Sequence, residues 1–265
     1  MTQLLISVKN VEEALLALAC GADIIDLKDP TVGALGALDM PTSLAILAAV
    51  NKHASHQETR LIASQTTGPI SGPIISTTVG ENHATLKALI AAIQERAALG
   101  HVIIKIAVSD LFDNVNFLAQ MRQLTNTGVK IVAVFFADER LDLRIDLTVL
   151  PTLKQAGFYG AMLDTKNKHK NLTQTQTKEG LGSFTHFCHQ QHLKSGLAGS
   201  LQSQHIDMLS TFNATYMGFR GGVCDDFERK GDLSATKILE VKKLLLAHNK
   251  YSIEAQKIIP LALHS

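Results

Sequence analysis

Short runs of apolar and β-branched residues alternate along the chain with longer segments in which apolar residues recur at helical spacing. Runs of the first kind predict strands, and they lie at Leu4–Val8, Ala22–Lys28, Ile74–Val79, Val102–Val108, Lys130–Ala137, Gly160–Asp164, Lys194–Gly199 and Tyr216–Gly221. Each is followed by a segment of the second kind, predicted to be helical: Val11–Cys20, Pro41–Ala54, Ala84–Gly100, Asn114–Gly128, Thr148–Gly157, Gly180–Leu193, Ser203–Phe212 and Ala235–Asn249. Regular βα alternation predicts parallel strands joined by right-handed crossovers.

Eight βα units of this length indicate a closed (β/α)8 barrel (TIM barrel), a single domain over residues 1–249. The alternative is an open, doubly wound sheet, whose first strand is usually followed by a glycine-rich turn. Here the chain continues as SVKNVEEA, without the GxGxxG pattern, which favours the barrel. Two segments lie outside this plan. Residues 56–73 predict a local pairing or a loop, and the apolar tail 250–265 is predicted to dock, which favours a homo-oligomer.

The second predicted strand, within GADIIDLKDP, carries two charges where a buried strand is expected. Side chains two residues apart in a strand point the same way, so Asp26 and Lys28 share the face of Ile24. A carboxylate and an ammonium are costly to place in a dry core. The pattern therefore indicates that this face opens on a ligand site.

Further ionisable residues lie within or directly after other predicted strands, whose carboxyl ends carry the site in barrel enzymes. They are Lys105, Asp138, Asp164, Lys166, Lys168 and Arg220. Each has a structural alternative: the aspartates could cap turns, the lysines after the sixth strand could be solvated, and Arg220 could form a buried ion pair. Lys105 fits such an alternative least well, because isoleucines and an alanine flank it. The gathering of all six at one end of a barrel favours a functional site.

The last two predicted strands end in small residues, Gly199-Ser200 and Gly221-Gly222. Loops after the seventh and eighth strands of a barrel often bind phosphate through backbone N–H groups and a helix N-terminus. Each pair alone could be no more than a tight turn. Two such pairs on consecutive strands indicate a phosphorylated substrate.

Composition excludes several other classes of protein. The net charge of +1, without an extended basic face, argues against nucleic-acid binding. The chain has no signal-peptide pattern and no apolar run long enough for a membrane span, so a cytoplasmic protein is expected. Its three cysteines are far apart and lack CxxC spacing, and HFCHQQH has the pattern of surface histidines on a helix, so no metal site is predicted.

Lysines beside carboxylates, together with a phosphate-binding loop, suit carbonyl chemistry on a sugar phosphate. A lysine amine attacks an aldehyde or ketone only when it is neutral, and burial or a neighbouring cation lowers its pKa toward that state. The resulting iminium is an electron sink, which lets a base remove the adjacent proton and allows C–C bond formation or elimination. Asp26 and Asp164 suit proton transfer or orientation of the lysines. This chemistry is that of a Schiff-base aldolase, and it needs no cofactor.

Six motifs carry a resemblance to a known family: GADIIDLKDPTVGALGA, ISTTVGE, IKIAVSD, AMLDT, GLAGSLQSQHI and GFRGGVC. In this order and register, to about Asp225, they resemble the (5-formylfuran-3-yl)methyl phosphate synthases. The resemblance implies a lyase that condenses two molecules of glyceraldehyde 3-phosphate to the furan aldehyde phosphate, with loss of phosphate and water. The product would lead to the furan of methanofuran or of a related carrier in one-carbon metabolism.

The resemblance also implies roles for single residues. Lys28 would form the Schiff base, Lys105 would accept a proton, and Asp26, Asp164 and Lys168 would complete the site. Lysines stand two, four and six positions after Asp164, so Lys166 could take the place of Lys168. Two other functions stay open: a different class I aldolase or sugar-phosphate isomerase, and a non-catalytic barrel that binds a sugar phosphate.

Overall fold

The strands form one closed parallel barrel. The computed structural model describes residues 1–63, 72–114, 116–139 and 148–258. Its strands are β1 (Gln3–Val8), β2 (Ile24–Leu27), β3 (Ile74–Thr78), β4 (Val102–Ala107), β5 (Lys130–Phe136), β6 (Gly160–Asp164), β7 (Lys194–Leu197) and β8 (Tyr216–Phe219). Each strand pairs in parallel with the next, and β8 closes on β1. The predicted (β/α)8 barrel and its eight strands are thereby confirmed.

Helices cover the outside of the barrel. The described α-helices are α1 (Val11–Ala19), α2 (Met40–Ala63), α3 (Leu86–Ala97), α4 (Phe117–Asn126), α5 (Leu150–Gln155), α6 (Leu172–Thr175), α7 (Lys178–Gln190), α8 (Ile206–Ser210) and α9 (Ala235–Ile258). Short 3-10 turns at Asp110–Asp113, Ser203–His205, Gly221–Val223 and Asp225–Phe227 complete the connections. Each predicted helical segment overlaps one of these helices, and the ends differ by up to about nine residues.

Two predictions outside the barrel plan have different outcomes. The sequence predicts a local pairing or a loop over residues 56–73, whereas α2 extends into this segment as far as Ala63. This part is rich in residues of high helix propensity, such as Gln57, Glu58 and Leu61, which explains the longer helix. Residues 64–71 lie outside the described part of the chain. The helix α9 likewise runs past Asn249 to Ile258, and the docking of the tail stays a prediction.

Side-chain alternation divides the apolar residues into two cores. On β2, Ile25 and Leu27 face outward into the large core between barrel and helices, whereas Ile24 faces the barrel interior. The interior core also contains Leu5, Val132, Val134, Met162 and Tyr216. Asp26 and Lys28 continue the inward face of Ile24, as the strand pattern predicts. Inside the barrel, Asp26 and Lys28 therefore belong to a polar layer at the carboxyl ends of the strands, and Ile24 belongs to an apolar layer on its amino-terminal side.

Candidate active site

A cavity of about 510 Å³ lies at the carboxyl ends of the strands. Its walls contain all the predicted site residues except Asp138 and Lys166, namely Asp26, Lys28, Lys105, Asp164, Lys168, Gly199, Ser200, Arg220, Gly221 and Gly222. The carboxyl face is where barrel enzymes carry their sites, because the loops that follow the strands converge there. The closed sheet thus brings together residues that are up to about two hundred positions apart in the sequence.

The lower wall of the cavity is apolar and tightly packed. Leu5, Met162, Ala198 and Gly218 line it, and the buried ring of Tyr216 packs directly on Gly196, where a Cβ atom would lie 2.3 Å from the ring. The position must therefore be glycine for the tyrosine to fill the barrel interior. Burial raises the pKa of Tyr216, so this side chain is a neutral part of the floor. The floor separates the charged layer from the amino-terminal end of the barrel.

Asp26 and Lys105 form a buried ion pair in the middle of the polar layer. The register places Asp26 of β2 between Ser7 of β1 and Ser76 of β3. Its carboxylate accepts hydrogen bonds from Ser7 Oγ at 2.8 Å and Ser76 Oγ at 2.7 Å. Lys105 Nζ, from β4, lies 2.7 Å from Asp26 Oδ2. Three donors thus hold one fully buried carboxylate in a fixed orientation.

Lys28, Asp164 and Lys168 form a second group nearer the mouth of the cavity. Lys28 follows the last residue of β2, and Asp164 ends β6. Asp164 Oδ1 accepts from Lys168 Nζ at 2.9 Å and from the backbone N–H of Thr165 at 2.7 Å. Lys28 Nζ lies 3.6 Å from Asp164 Oδ2, which is a close ion pair but is beyond hydrogen-bond distance. Among the described residues, Lys28 Nζ has no hydrogen-bond partner, and Asp164 is the partner of its ion pair.

The electrostatics differ between the carboxylates and Lys28. Burial would raise the pKa of Asp26, but the Lys105 and Lys28 charges and the hydrogen bonds from Lys105 and Ser76 outweigh it and lower this pKa. The same opposition, with Lys168 and Lys28 as the cations, lowers the pKa of Asp164 to about 2. Burial lowers the pKa of Lys28 to about 8; Asp164 opposes this shift, and Lys168 and Lys105 reinforce it. A sizeable neutral fraction of Lys28 therefore exists near neutral pH.

The structure distinguishes the two lysines that the sequence left open. Lys168 contacts Asp164 and also donates to the backbone oxygen of Thr165. Lys166 lies away from the cavity, where Nζ pairs with Glu139 at 2.7 Å and both side chains are well exposed. Asp138 accepts hydrogen bonds from the backbone N–H groups of Lys166 and Asn167, both at 2.7 Å. It therefore caps the loop after β6, which is the structural alternative for this aspartate.

Arg220 likewise matches its structural alternative. Its guanidinium pairs with Glu13 in the first turn of α1 and also donates to the backbone oxygens of Ser7, Arg229 and Gly231. These bonds use all five of its N–H groups. Arg220 thus borders the cavity but has no donor left for a ligand, and it ties β8 to β1 and α1.

The glycine pairs lie where the loops after β7 and β8 approach each other. A Cβ atom at Gly222 would lie 1.9 Å from the backbone oxygen of Leu201, so the two loops touch through backbone atoms. Gly199 has a φ of 116° and Ser200 one of 48°, which turns the first loop sharply. No hydrogen bond between described residues uses the N–H groups of Gly199, Ser200, Gly221 or Gly222. All four residues line the cavity, so these N–H groups lie at or near its wall.

Some contributors to the site carry no clear signal in the sequence. Ser7 and Ser76 look like ordinary strand serines, and only the barrel register shows that they flank Asp26. Arg229 and Gln202 lie in loops beyond the predicted strands, yet both line the cavity. The alternation in ISV and IIST could have indicated that both serines face inward. For the loop residues, no periodic pattern exists to read.

The fold and this lysine–carboxylate centre define a (β/α)8 barrel protein with a candidate active site at the carboxyl ends of its strands. Solved structures agree on the fold. Phosphoribosyl anthranilate isomerase from Thermus thermophilus superimposes with a TM-score of 0.56 at 12% identity, covering 93% of this chain and 99% of that one. For 3-hexulose-6-phosphate synthase from Salmonella typhimurium the TM-score is 0.54 at 12% identity, with 93% and 100% covered. At such identities the likeness concerns the fold alone.

Sequence comparison gives the family. The profile of the 4-HFC-P synthase family matches residues 4–242, so the chain belongs to this family of enzymes. The (5-formylfuran-3-yl)methyl phosphate synthase of Methanocaldococcus jannaschii is 31% identical over 91% of this chain and 98% of its own length. A Methylorubrum extorquens protein, named provisionally as the same synthase, is 35% identical over 92% of both chains. The predicted family resemblance is thereby confirmed.

Two other kinds of site are absent from the described residues. None of their helices combines the length and apolar character that crossing a membrane requires. No group of three or more histidine, cysteine, aspartate or glutamate side chains in the same residues is arranged to hold a metal ion.

Proposed function

We propose that this enzyme is a Schiff-base lyase that condenses two molecules of glyceraldehyde 3-phosphate to (5-formylfuran-3-yl)methyl phosphate, the precursor of the furan in methanofuran or a methylofuran-type carrier. The observation that supports the proposal best is Lys28. It is buried at a cavity wall, its nitrogen has no hydrogen-bond partner among the described residues, and burial lowers its pKa to about 8. A nucleophilic amine requires these conditions.

The first step would join one triose to Lys28. The neutral amine attacks the aldehyde carbon, a C–N bond forms, and the carbonyl oxygen leaves as water to give an iminium. Asp164 and Lys168 adjoin this amine: Asp164 Oδ2 lies 3.6 Å from Lys28 Nζ, and Lys168 Nζ lies 2.9 Å from Asp164 Oδ1. Their hydrogen-bonded pair can shuttle the protons that carbinolamine formation and dehydration require.

The next step would use Lys105 and Asp26. A base removes the proton from the carbon beside the iminium, and the electron pair moves toward nitrogen to form an enamine. Lys105 lies 2.7 Å from Asp26, in the layer directly below Lys28, so the pair can accept this proton and later return it. The enamine then expels the phosphate from the third carbon of the same triose, which breaks a C–O bond and leaves an enol conjugated with the iminium. The terminal carbon of this enol forms the C–C bond with the central carbon of the second triose, which carries the carbonyl once a proton shift has isomerised that triose to its ketone. Ring closure and loss of water form the furan, and hydrolysis of the iminium yields the aldehyde and frees Lys28.

The overall change is consistent with the residues at hand. Two triose phosphates differ from the product only by inorganic phosphate and water, so the reaction needs no oxidant or reductant. The protein has to supply an amine, proton carriers and anion-binding groups. The N–H groups of Gly199, Ser200, Gly221 and Gly222 can hold one substrate phosphate. A cytoplasmic location and a homo-oligomeric state stay predictions from the sequence.

The decisive experiment traps the proposed intermediate. The enzyme is incubated with glyceraldehyde 3-phosphate and borohydride, its intact mass is measured, and any adduct is located by peptide mapping. We expect one adduct on Lys28 and, without borohydride, a furan aldehyde that absorbs in the near ultraviolet. An adduct without furan would indicate another class I aldolase. An unmodified protein that still isomerises or merely binds the triose would contradict the Schiff-base mechanism.

A further inference from the structure

The cations that line the cavity differ in how fully the protein already uses them. Among the described residues, five lysine and arginine side chains border it, namely Lys28, Lys105, Lys168, Arg220 and Arg229. The three lysines each lie close to a carboxylate of the site. Arg220 donates all its N–H groups to protein acceptors. Arg229 is different, because among the described residues its guanidinium makes one hydrogen bond and no ion pair.

Contacts at the backbone and at the guanidinium fix the position of Arg229. Its backbone oxygen accepts a hydrogen bond from Arg220 Nε at 2.8 Å. Its Cβ atom is close to Gly221, since a Cβ atom added to that glycine would lie 3.4 Å from it. Arg229 therefore begins beside the glycine loop after β8. Its Nη2 reaches the backbone oxygen of Gly33, at 2.9 Å, in the loop that follows β2 and Lys28. The side chain thus runs along the cavity rim from one loop to the other.

The proposed reaction places two phosphorylated trioses in one cavity. Their phosphate dianions repel each other, and the repulsion grows as the site loses water. The free N–H groups of the glycine loops provide for one phosphate. The second triose has to approach the Lys28 adduct from the open rim, where a second group of donors is needed. A guanidinium supplies a permanent charge and a planar set of donors that matches phosphate.

We propose that Arg229 binds the phosphate of the second triose phosphate, the molecule whose carbonyl carbon forms the new C–C bond with the Lys28-bound intermediate. This inference rests on the proposed function and deepens it, since it separates the binding of the two substrates. It assigns the glycine loops to the first triose and Arg229 to the second. The consequence is that loss of Arg229 impairs condensation and leaves formation of the first adduct intact.

The test compares Arg229→Gln with Lys230→Gln. Lys230 is the next residue in the same loop, carries the same charge, is exposed and does not line the cavity. In R229Q we expect the rate and yield of borohydride trapping on Lys28 to equal those of the wild type. The KM for furan formation should rise roughly ten- to a hundredfold, the size expected for lost hydrogen bonds to a charged group. K230Q should match the wild type in both assays.

A second variant and a second measurement separate the outcomes. Arg229→Lys keeps the charge but not the planar fork, so its KM should lie between those of the wild type and R229Q. Calorimetric binding of inorganic phosphate, which needs no turnover, should weaken in R229Q and stay unchanged in K230Q. Wild-type KM and phosphate affinity in R229Q would overturn the inference. So would loss of Lys28 trapping in both R229Q and R229K, since Arg229 would then serve the first triose. A wild-type enzyme that binds phosphate through Arg229 but forms no adduct would contradict the proposed function instead.

Discussion

Two sets of buried charges in the barrel are built differently, although both contact the same residue of β1: the pair of Arg220 with Glu13, and the charges that line the cavity. Ser7 of β1 joins them: its side chain donates to Asp26, and its backbone oxygen accepts from Arg220. Around Arg220 the charge is permanent and every donor is used. Around Lys28 the charge is titratable and the nitrogen has no hydrogen-bond partner among the described residues. The Arg220 side chain thus has all its hydrogen bonds within the protein, whereas Lys28 Nζ has only an ion pair at 3.6 Å with Asp164.

The Arg220–Glu13 pair and Lys28 both bury charge, but the protein compensates the two to different degrees. Burying ions disfavours folding unless partners and hydrogen bonds compensate. For Arg220 and Glu13 the compensation is complete, so the pair can hold β8 against α1. For Lys28 the compensation is partial, and the deficit is recorded in its lowered pKa. A buried amine with a lowered pKa is therefore the feature on which the proposed role of Lys28 rests, and burial of a charge alone would not support it.

The largest expected effect on activity comes from replacing Lys28. Lys28→Met should abolish furan formation, lowering the rate by roughly a thousandfold or more, because the amine that carries the intermediate is gone. The free energy of unfolding should not fall, since the folded state disfavours the Lys28 charge and Asp164 keeps Lys168 as its partner. Product absorbance and denaturant unfolding measure the two effects. A variant that keeps activity would contradict the role of Lys28.

Disrupting the pair of Arg220 and Glu13 should have the opposite result: stability should fall and activity should be retained. Glu13→Gln removes the charge that faces a buried guanidinium, so the free energy of unfolding should fall by about 3 kcal/mol. At a temperature where the variant is folded, its kcat should stay within about twofold of the wild type, since Glu13 touches no reacting group. Denaturant unfolding and steady-state kinetics on the same sample test both statements. A large fall in kcat with unchanged stability would show that the two groups are not separable.

A matched pair of lysines sharpens the comparison within one loop. Lys168→Gln should lower kcat roughly ten- to a hundredfold, because it removes a proton carrier beside Asp164. Lys166→Gln is the control: it loses an exposed pair with Glu139, worth under about 1 kcal/mol, and should keep wild-type kinetics. If the two variants had equal kinetics, the assignment of Lys168 to the site would be wrong.

The smallest expected effect is a shift in the pH dependence of adduct formation on Lys28. Burial depresses the pKa of Lys28 to about 8, so the neutral amine fraction rises about tenfold per pH unit below that value and levels off above it. The initial rate of adduct formation should follow the same curve. In Lys168→Gln a neighbouring cation is lost, so the pKa of Lys28 should rise and the curve should move to higher pH. In Glu13→Gln it should not move, and trapping at a series of pH values would reveal a displacement.

Much of this site could be predicted because its central residues lie on strands. Alternation alone puts Asp26 and Lys28 on the face of Ile24, and Lys105 is conspicuous among isoleucines. The order of the motifs indicates the family, and the family profile confirms it. The roles of Asp138 and Arg220 could not be decided in this way. Capping and catalysis require the same residue types, and only the contacts of each side chain distinguish them.

The sequence by itself determined the eight strands, the barrel they form, the inward face that carries the charged layer, and the family. These properties follow from local periodicity and ordered motifs, which depend on neighbours in the chain. The tertiary structure alone decided that Lys168 rather than Lys166 contacts Asp164 and that Arg220 uses all its donors. It also decided that Arg229 lines the cavity and that its guanidinium makes a single hydrogen bond to the described residues. Those outcomes depend on loop conformations and on contacts between distant strands, because burial and hydrogen-bond partners exist only once the barrel has closed.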